Sequence, residues 1–334
     1  MATPSTEDRT GNIAYGLYLT GLFSSFVVAY LVTMLFVHNS KMMILDREYS
    51  MWLYVKEIAN SASASRQDLI VIGDSRAKAG YVPNLTDRRT INLSLAGQTP
   101  LEGYYLLLNY LNNNPVPDKL VVSYAPFHLS VVDAFWEMTV KYGFLNYQEY
   151  NEVLETSYRL GDKILGDKDM RWQYLFLPNM YWDSIRKAIK EKRWNTNEET
   201  YTNVVNSNGH YYYGKGSGAT DLNQEIGLGN FVKSRMLDFY LIKLIDLAQS
   251  RNIEVFWYTM PFSEISCKNL PASFKRDFED YVSDLESKRG IKVIKKISCL
   301  PNKLFGDNNH VYLGARTTTL AILNGVFGNG QSQF

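Results

Sequence analysis

Charge of either sign nearly cancels in this chain: 35 Lys and Arg stand against 34 Asp and Glu, a formal +1 over 334 residues. No basic stripe interrupts that balance, so nothing favours a nucleic-acid partner. Cysteine is scarce. Cys267 and Cys299 are the only two, enough for one bridge and thin evidence of compartment. Histidine is scarce too, with four, and no group of His, Cys and acidic residues has metal-ligand spacing, so neither metal nor cofactor is expected. The glycine-rich run Tyr211-Tyr212-Tyr213-Gly214-Lys215-Gly216-Ser217-Gly218 lacks a preceding strand and a closing Gly-Lys-Ser/Thr, which excludes a phosphate-binding loop.

From Ile13 to Val37, 25 residues, there is no charged residue. As a helix this span would measure about 37 Å, against a hydrocarbon core of about 30 Å, and it is predicted to cross a membrane. A cleavable signal fits less well: Thr6-Glu7-Asp8-Arg9 is not a basic flank, the run is too long, and no small-x-small site follows. Tyr15, Tyr18, Trp52 and Tyr54 flank the span as candidate interface aromatics. The expected organisation is a polar tail (1–11), the membrane helix (12–38), a connecting helix and Ser-Ala linker (39–65), and one main domain (66–330).

What the chain does have is Leu69-Ile70-Val71-Ile72 running into Gly73-Asp74-Ser75, with Arg76-Ala77-Lys78-Ala79 opening a helix. A short apolar run closed by a turn reads as a buried parallel strand, and its carboxyl end is where open α/β folds place ligands. Ser75 would sit there at a helix N-terminus, with Asp74 as a capping, structural residue. Further strands are predicted at Thr90–Leu93, Lys119–Tyr124, Glu254–Thr259 and Ile291–Ile294, with helices at Leu101–Leu111 and Ala315–Phe327. Strands alternating with helices imply crossovers and a parallel sheet, an α/β fold. Residues 130–230 break that rhythm and are expected to form an insertion over the carboxyl edge of the sheet.

A serine nucleophile needs a base, and the base a carboxylate. His38 ends the membrane helix, and His210 sits in the tyrosine-rich run and is expected at the surface. His128 follows the third strand at the correct edge and is a rival. His310 has Asp307 three residues before it in Gly306-Asp307-Asn308-Asn309-His310 and is the expected base.

These two blocks resemble those of the SGNH (GDSL-like) hydrolase superfamily: Gly73-Asp74-Ser75 the first, Asp307-Asn308-Asn309-His310 the last. Ile91-Asn92-Leu93-Ser94-Leu95-Ala96-Gly97-Gln98-Thr99 is similar to the second block, which implies an oxyanion hole from the N–H groups of Ser75 and Gly97. The third block departs. Where the family carries Gly-x-Asn-Asp, this chain reads Val121-Val122-Ser123-Tyr124-Ala125-Pro126, without the asparagine. The resemblance implies a three-layer α/β/α sandwich with a catalytic Ser75, His310 and Asp307.

An N-terminal anchor on such a domain resembles the alginate acetylation and teichoic-acid D-alanylation proteins. That implies a membrane-anchored serine O-acyltransferase, of O-acetyl type, modifying an extracytoplasmic cell-envelope polysaccharide beside a polytopic membrane-bound O-acyltransferase. The alternatives are a membrane-anchored carbohydrate esterase or deacetylase, and a non-catalytic scaffold binding the acyltransferase or the glycan. Trp172, Trp182, Trp194, Tyr211, Tyr212 and Tyr213 are the residues expected to stack on sugar faces, in keeping with 24 Tyr in the chain. Topology has two opposed signals. Lys41 and Arg47 against Arg9 mildly favour a cytoplasmic domain, whereas the resemblance implies an exported one, which is the expectation adopted.

Overall fold

The computed structural model describes residues 6–39, 46–62, 65–132, 134–166 and 179–328. Helix α1 (Thr6–Asn39) contains Ile13–Phe36, long and apolar enough to cross a membrane and not buried against the rest of the protein. Helix α2 (Tyr49–Asn60) follows. In the expected connecting stretch it is a core element: Met51, Trp52, Tyr54 and Val55 are buried. Trp52 and Tyr54 are therefore not interface aromatics. An aromatic ring beside a membrane span suits a lipid interface or a core equally well, and here the core takes both rings.

Strand β1 (Leu69–Gly73) leads into α3 (Ser75–Gly80), and β2 (Thr90–Asn92) precedes α4 (Pro100–Asn113). Strand β3 (Lys119–Ser123) is followed by the short α5 (Phe127–Ser130), and then by α6 (Tyr147–Leu160), α7 (Asn179–Glu191) and α8 (Arg193–Asn206). The chain closes through α9 (Arg235–Ser250), β4 (Glu254–Tyr258), β5 (Phe262–Ser263), α10 (Glu264–Asn269), α11 (Ala272–Arg289), β6 (Lys292–Lys295), β7 (Cys299–Leu300) and α12 (Ala315–Phe327). Five strands pair in the order β2-β1-β3-β4-β6, all parallel, as alternating strands and helices require.

Both faces of the sheet are covered. Ile70, Ile72, Leu120, Val122, Val255 and Trp257 join the core with residues of α2, α4, α9 and α11. Their alternates Leu69, Val71, Val121, Phe256 and Tyr258 pack with Tyr81 and with Ile322 and Val326 of α12. Each fully buried apolar side chain contributes roughly 1.5–3 kcal/mol, and Leu69, Ile70, Val71 and Ile72 are all fully buried. The sequence-predicted strands are all present, with ends shifted by a residue or two.

The outer strand β2 is not left open. Asn92 N–H donates to Asn208 O (2.9 Å), so the end of the insertion covers the edge of the sheet. A disulfide joins Cys267 of α10 to Cys299 of β7. The loop it closes, a sequence separation of 32, limits the unfolded chain by roughly 3–4 kcal/mol in the chain-entropy account.

Gly73 is required where β1 turns into α3: a Cβ there would lie 1.9 Å from Ser123 O. Gly73→Ala should lower stability by about 2 kcal/mol or more, read as a fall in the unfolding midpoint. Gly227→Ala, at a position with open space around it, should change stability by less than about 0.5 kcal/mol. Equal midpoints for the two variants would show that β1 and β3 are not held this closely.

Candidate active site

Ser75 is the first residue of α3, at the carboxyl end of the interior strand β1, and is partly exposed. The preceding Asp74 caps the helix. Its Oδ1 accepts from Arg76 N (2.9 Å) and Ala77 N (3.4 Å), and its Oδ2 from Ala125 N (2.6 Å) beyond β3. The fully buried carboxylate thus ties the turn of β1 to that of β3 and fixes where Ser75 projects. That is the structural role its sequence position suggested.

His310 comes from the far end of the chain. An antiparallel bridge between Phe305 and Val311, with Gly306 N–H donating to His310 O (2.8 Å), closes a tight loop that carries Asp307 and His310. His310 Nε2 lies 2.8 Å from Ser75 Oγ, and its Nδ1 lies 2.8 Å from Asp307 Oδ2 and 3.0 Å from Oδ1. Asp307 Oδ1 also accepts from the N–H groups of Asn309 (2.8 Å) and His310 (2.7 Å). Burial pushes the Asp307 carboxyl up; the hydrogen bond and charge of His310 and the two N–H donors outweigh it, and the net shift is downward. A carboxylate held ionised beside Nδ1 selects the tautomer with the proton on Nδ1, leaving Nε2 to accept from the serine hydroxyl.

Loop 93–98 runs beside the end of β1, because Leu93 N–H donates to Val71 O (2.8 Å) and Leu95 N–H to Gly73 O (3.0 Å). Gln98 N–H to Leu95 O (3.3 Å) closes a turn whose third residue, Gly97, has φ +66°, the left-handed region that favours glycine. Gly97 therefore reaches the same edge of the sheet as Ser75. His128 is also at this edge, buried on α5, but the imidazole hydrogen-bonded to Ser75 is that of His310. His210 is buried rather than at the surface: its Nε2 lies 3.2 Å from Ala79 O, and burial lowers its pKa to about 4.

The tyrosine run is half-buried beside the Asp307–His310 loop. Tyr213 lays its ring on His310, with centroids 4.4 Å apart and 30° between planes, and its hydroxyl donates toward Met51 Sδ (3.6 Å) on α2. Tyr212 packs edgewise on His210 (4.2 Å) and Tyr312 (4.9 Å), and Tyr211 on Tyr213 (5.1 Å). The reason is a long-range contact. Gly214 and Gly306 meet so closely that a Cβ on Gly214 would lie 2.4 Å from Gly306 O, which turns the preceding rings inward onto the Asp307–His310 loop. Trp172 lies outside the described residues, and of Trp182 and Trp194 only the helical backbone of α7 and α8 is described.

Two buried charged groups escaped the sequence reading. Arg76, next to the serine, pairs with Glu225 of the insertion (2.7 Å) and reaches Asn309 Oδ1 (3.4 Å), joining the helix of Ser75, the insertion and the histidine loop. Burial opposes its charge, and Glu225, Asp74 and Asp307 together outweigh that, so its pKa is raised. Lys78, one helical turn after Ser75, donates to Ser94 O and Gly209 O (2.9 Å each), and burial lowers its amine to about 7, with Glu48 opposing. Only their place within three residues of Ser75 would have singled them out.

Tyr213 thus holds the imidazole through its ring face. Tyr213→Phe keeps that face and should leave turnover of an acyl ester within about twofold. Tyr213→Leu should lower kcat roughly tenfold with little change in KM, since misplacing a catalytic group affects the chemical step. Equal effects of Phe and Leu on kcat would show that the ring does not position His310.

No family model matches this chain, and no curated protein does. Among solved structures, the chain is similar to one described as "The structure of a putative platelet activating factor from Streptococcus pneumonia", at 9% sequence identity, covering 87% of this chain and 98% of that chain with a TM-score of 0.37.

Proposed function

We propose that this chain is a membrane-anchored serine acyltransferase of SGNH type, acting on a cell-envelope glycan outside the cytoplasm. One observation carries the reading: Ser75 Oγ, the His310 imidazole and the Asp307 carboxylate form a continuous hydrogen-bonded chain of 2.8 Å links at the carboxyl edge of a parallel sheet. Such a chain suits acyl transfer. His310 Nε2 takes the hydroxyl proton as Ser75 Oγ adds to the acyl carbonyl. The N–H groups of Ser75 and Gly97 receive the oxyanion. The C–O bond to the leaving group then breaks, His310 returns the proton to that oxygen, and acyl-Ser75 remains. A sugar hydroxyl repeats the sequence in reverse and takes the acyl group.

The membrane span Ile13–Phe36 supports the anchored part of the reading. The Cys267–Cys299 disulfide supports the exported part, because such bridges persist in oxidising compartments. A polytopic membrane-bound O-acyltransferase is the proposed acyl supplier, and O-acetyl the proposed group.

The test is the fate of an acetyl group offered to the full-length chain as an activated ester, with and without an envelope oligosaccharide. The expected result is acetyl on Ser75, then on the sugar. Ser75→Ala and His310→Ala should each cost about a thousandfold or more, and the double variant little beyond either single change. Release of acetate alone, in the presence of every acceptor, would make the protein an esterase. Full in vivo function in Ser75→Ala would make it a scaffold.

A further inference from the structure

The segment from α7 into the first residue of α8 carries an unusual distribution of charge for a chain with a net +1. Residues 183–193 hold five basic residues (Arg186, Lys187, Lys190, Lys192, Arg193) and two acidic ones (Asp183, Glu191). Its inner side is anchored, since Ala188 is buried and Ile185 packs on the main core. Ile189, one position on, is 63% exposed, and Arg186, Lys187 and Lys190 beside it are exposed as well. An apolar side chain presented among lysines is the pattern of a helix lying at a lipid headgroup layer.

Its place in the fold fits that pattern. Lys141 Nζ bonds both Asp46 Oδ2 (2.7 Å) and Ser184 Oγ of α7 (3.1 Å). Asn197 of α8 donates to Asp46 O (3.1 Å), and α7 packs on α8, which packs on α2. Asp46 is seven residues beyond Asn39, the last residue of α1, and seven residues span at most roughly 25 Å. The covalent chain therefore keeps α7 within a short reach of the bilayer surface, whatever the tilt of α1.

We infer that α7 is an interfacial helix resting on an anionic leaflet, with Ile189 in the headgroup–acyl boundary and Lys187 and Lys190 among the phosphates. The lipid surface fits better than a soluble polyanion because the basic cluster is joined to an exposed apolar side chain and tethered beside the span. This inference rests on the reading of Ile13–Phe36 as a bilayer span and not on the chemistry of Ser75. A chain without acyl-transfer activity would still show it.

The test uses the full-length chain in lipid nanodiscs, with Ile189→Cys carrying a polarity-sensitive fluorophore; Cys267 and Cys299 are bridged, so the new thiol is the one labelled. Tyr158→Cys, at a residue 70% exposed on α6, is the reference. In discs containing phosphatidylglycerol, spin-labelled lipid should quench the probe at 189 at least about twofold more than at 158. Lys187→Glu with Lys190→Glu should bring quenching at 189 down to the reference level, since each cation at an anionic surface is worth roughly fivefold in local affinity. An unchanged unfolding midpoint will show that both variants are folded. Equal quenching at 189 and 158 overturns the inference. A probe exposed in discs but shielded in native membrane vesicles also overturns it, and assigns α7 to a protein partner.

Discussion

The hydrogen bond between His310 Nε2 and Ser75 Oγ spans 235 positions of sequence, and most of the features around it serve to keep its two ends in register. On one side, the Asp74 carboxylate and the close approach of Gly73 to β3 fix the turn that carries the serine. On the other, the Phe305–Val311 bridge closes the histidine loop, and the Cys267–Cys299 disulfide holds the strand from which that loop departs. Arg76 crosses between them, bound to Glu225 and Asn309. A buried ion pair of this kind adds little net stability, because desolvation offsets its attraction, but removing one partner leaves an uncompensated charge. Its contribution is to fix the relative position of three segments far apart in sequence.

The same site is tied to the stretch of chain that follows α1. Met51 of α2 meets the hydroxyl of Tyr213, whose ring lies on His310. Burial raises Glu48, two residues before Ser50, to about 7, and its field opposes the lowering of Lys78 in α3. Helix α2, which follows the long apolar helix α1, is therefore part of the wall of the candidate site. Its burial makes 46–60 inseparable from the sheet domain, although the composition of the surrounding stretch reads as a linker.

What could be read from the sequence was local. Gly73-Asp74-Ser75 and Asp307–His310 carry their chemistry within a few residues, and the strand runs Leu69–Ile72 and Lys119–Tyr124 are apolar enough to mark a buried sheet. What could not be read depends on long-range packing. Trp52 and Tyr54 suit a membrane interface as well as a core, and only the docking of α2 on α4 decides between them. The inward turn of Tyr212 and Tyr213 follows from the contact of Gly214 with Gly306, 92 positions later in sequence, and no pattern within residues 211–218 announces it. His210 looked like a surface residue for the same reason: its burial comes from segment 208–211 covering β2 and α3.

The central claim is that Ser75 is a nucleophile activated by His310 and Asp307. A fluorophosphonate probe reacts with an activated serine and spares ordinary hydroxyls, and peptide mapping of the full-length chain after exposure would identify the modified residue. The account predicts one phosphonyl group on Ser75, with labelling lost in His310→Ala and retained in His128→Ala. An unlabelled Ser75, or labelling that survives the loss of His310 and disappears with His128, would contradict it.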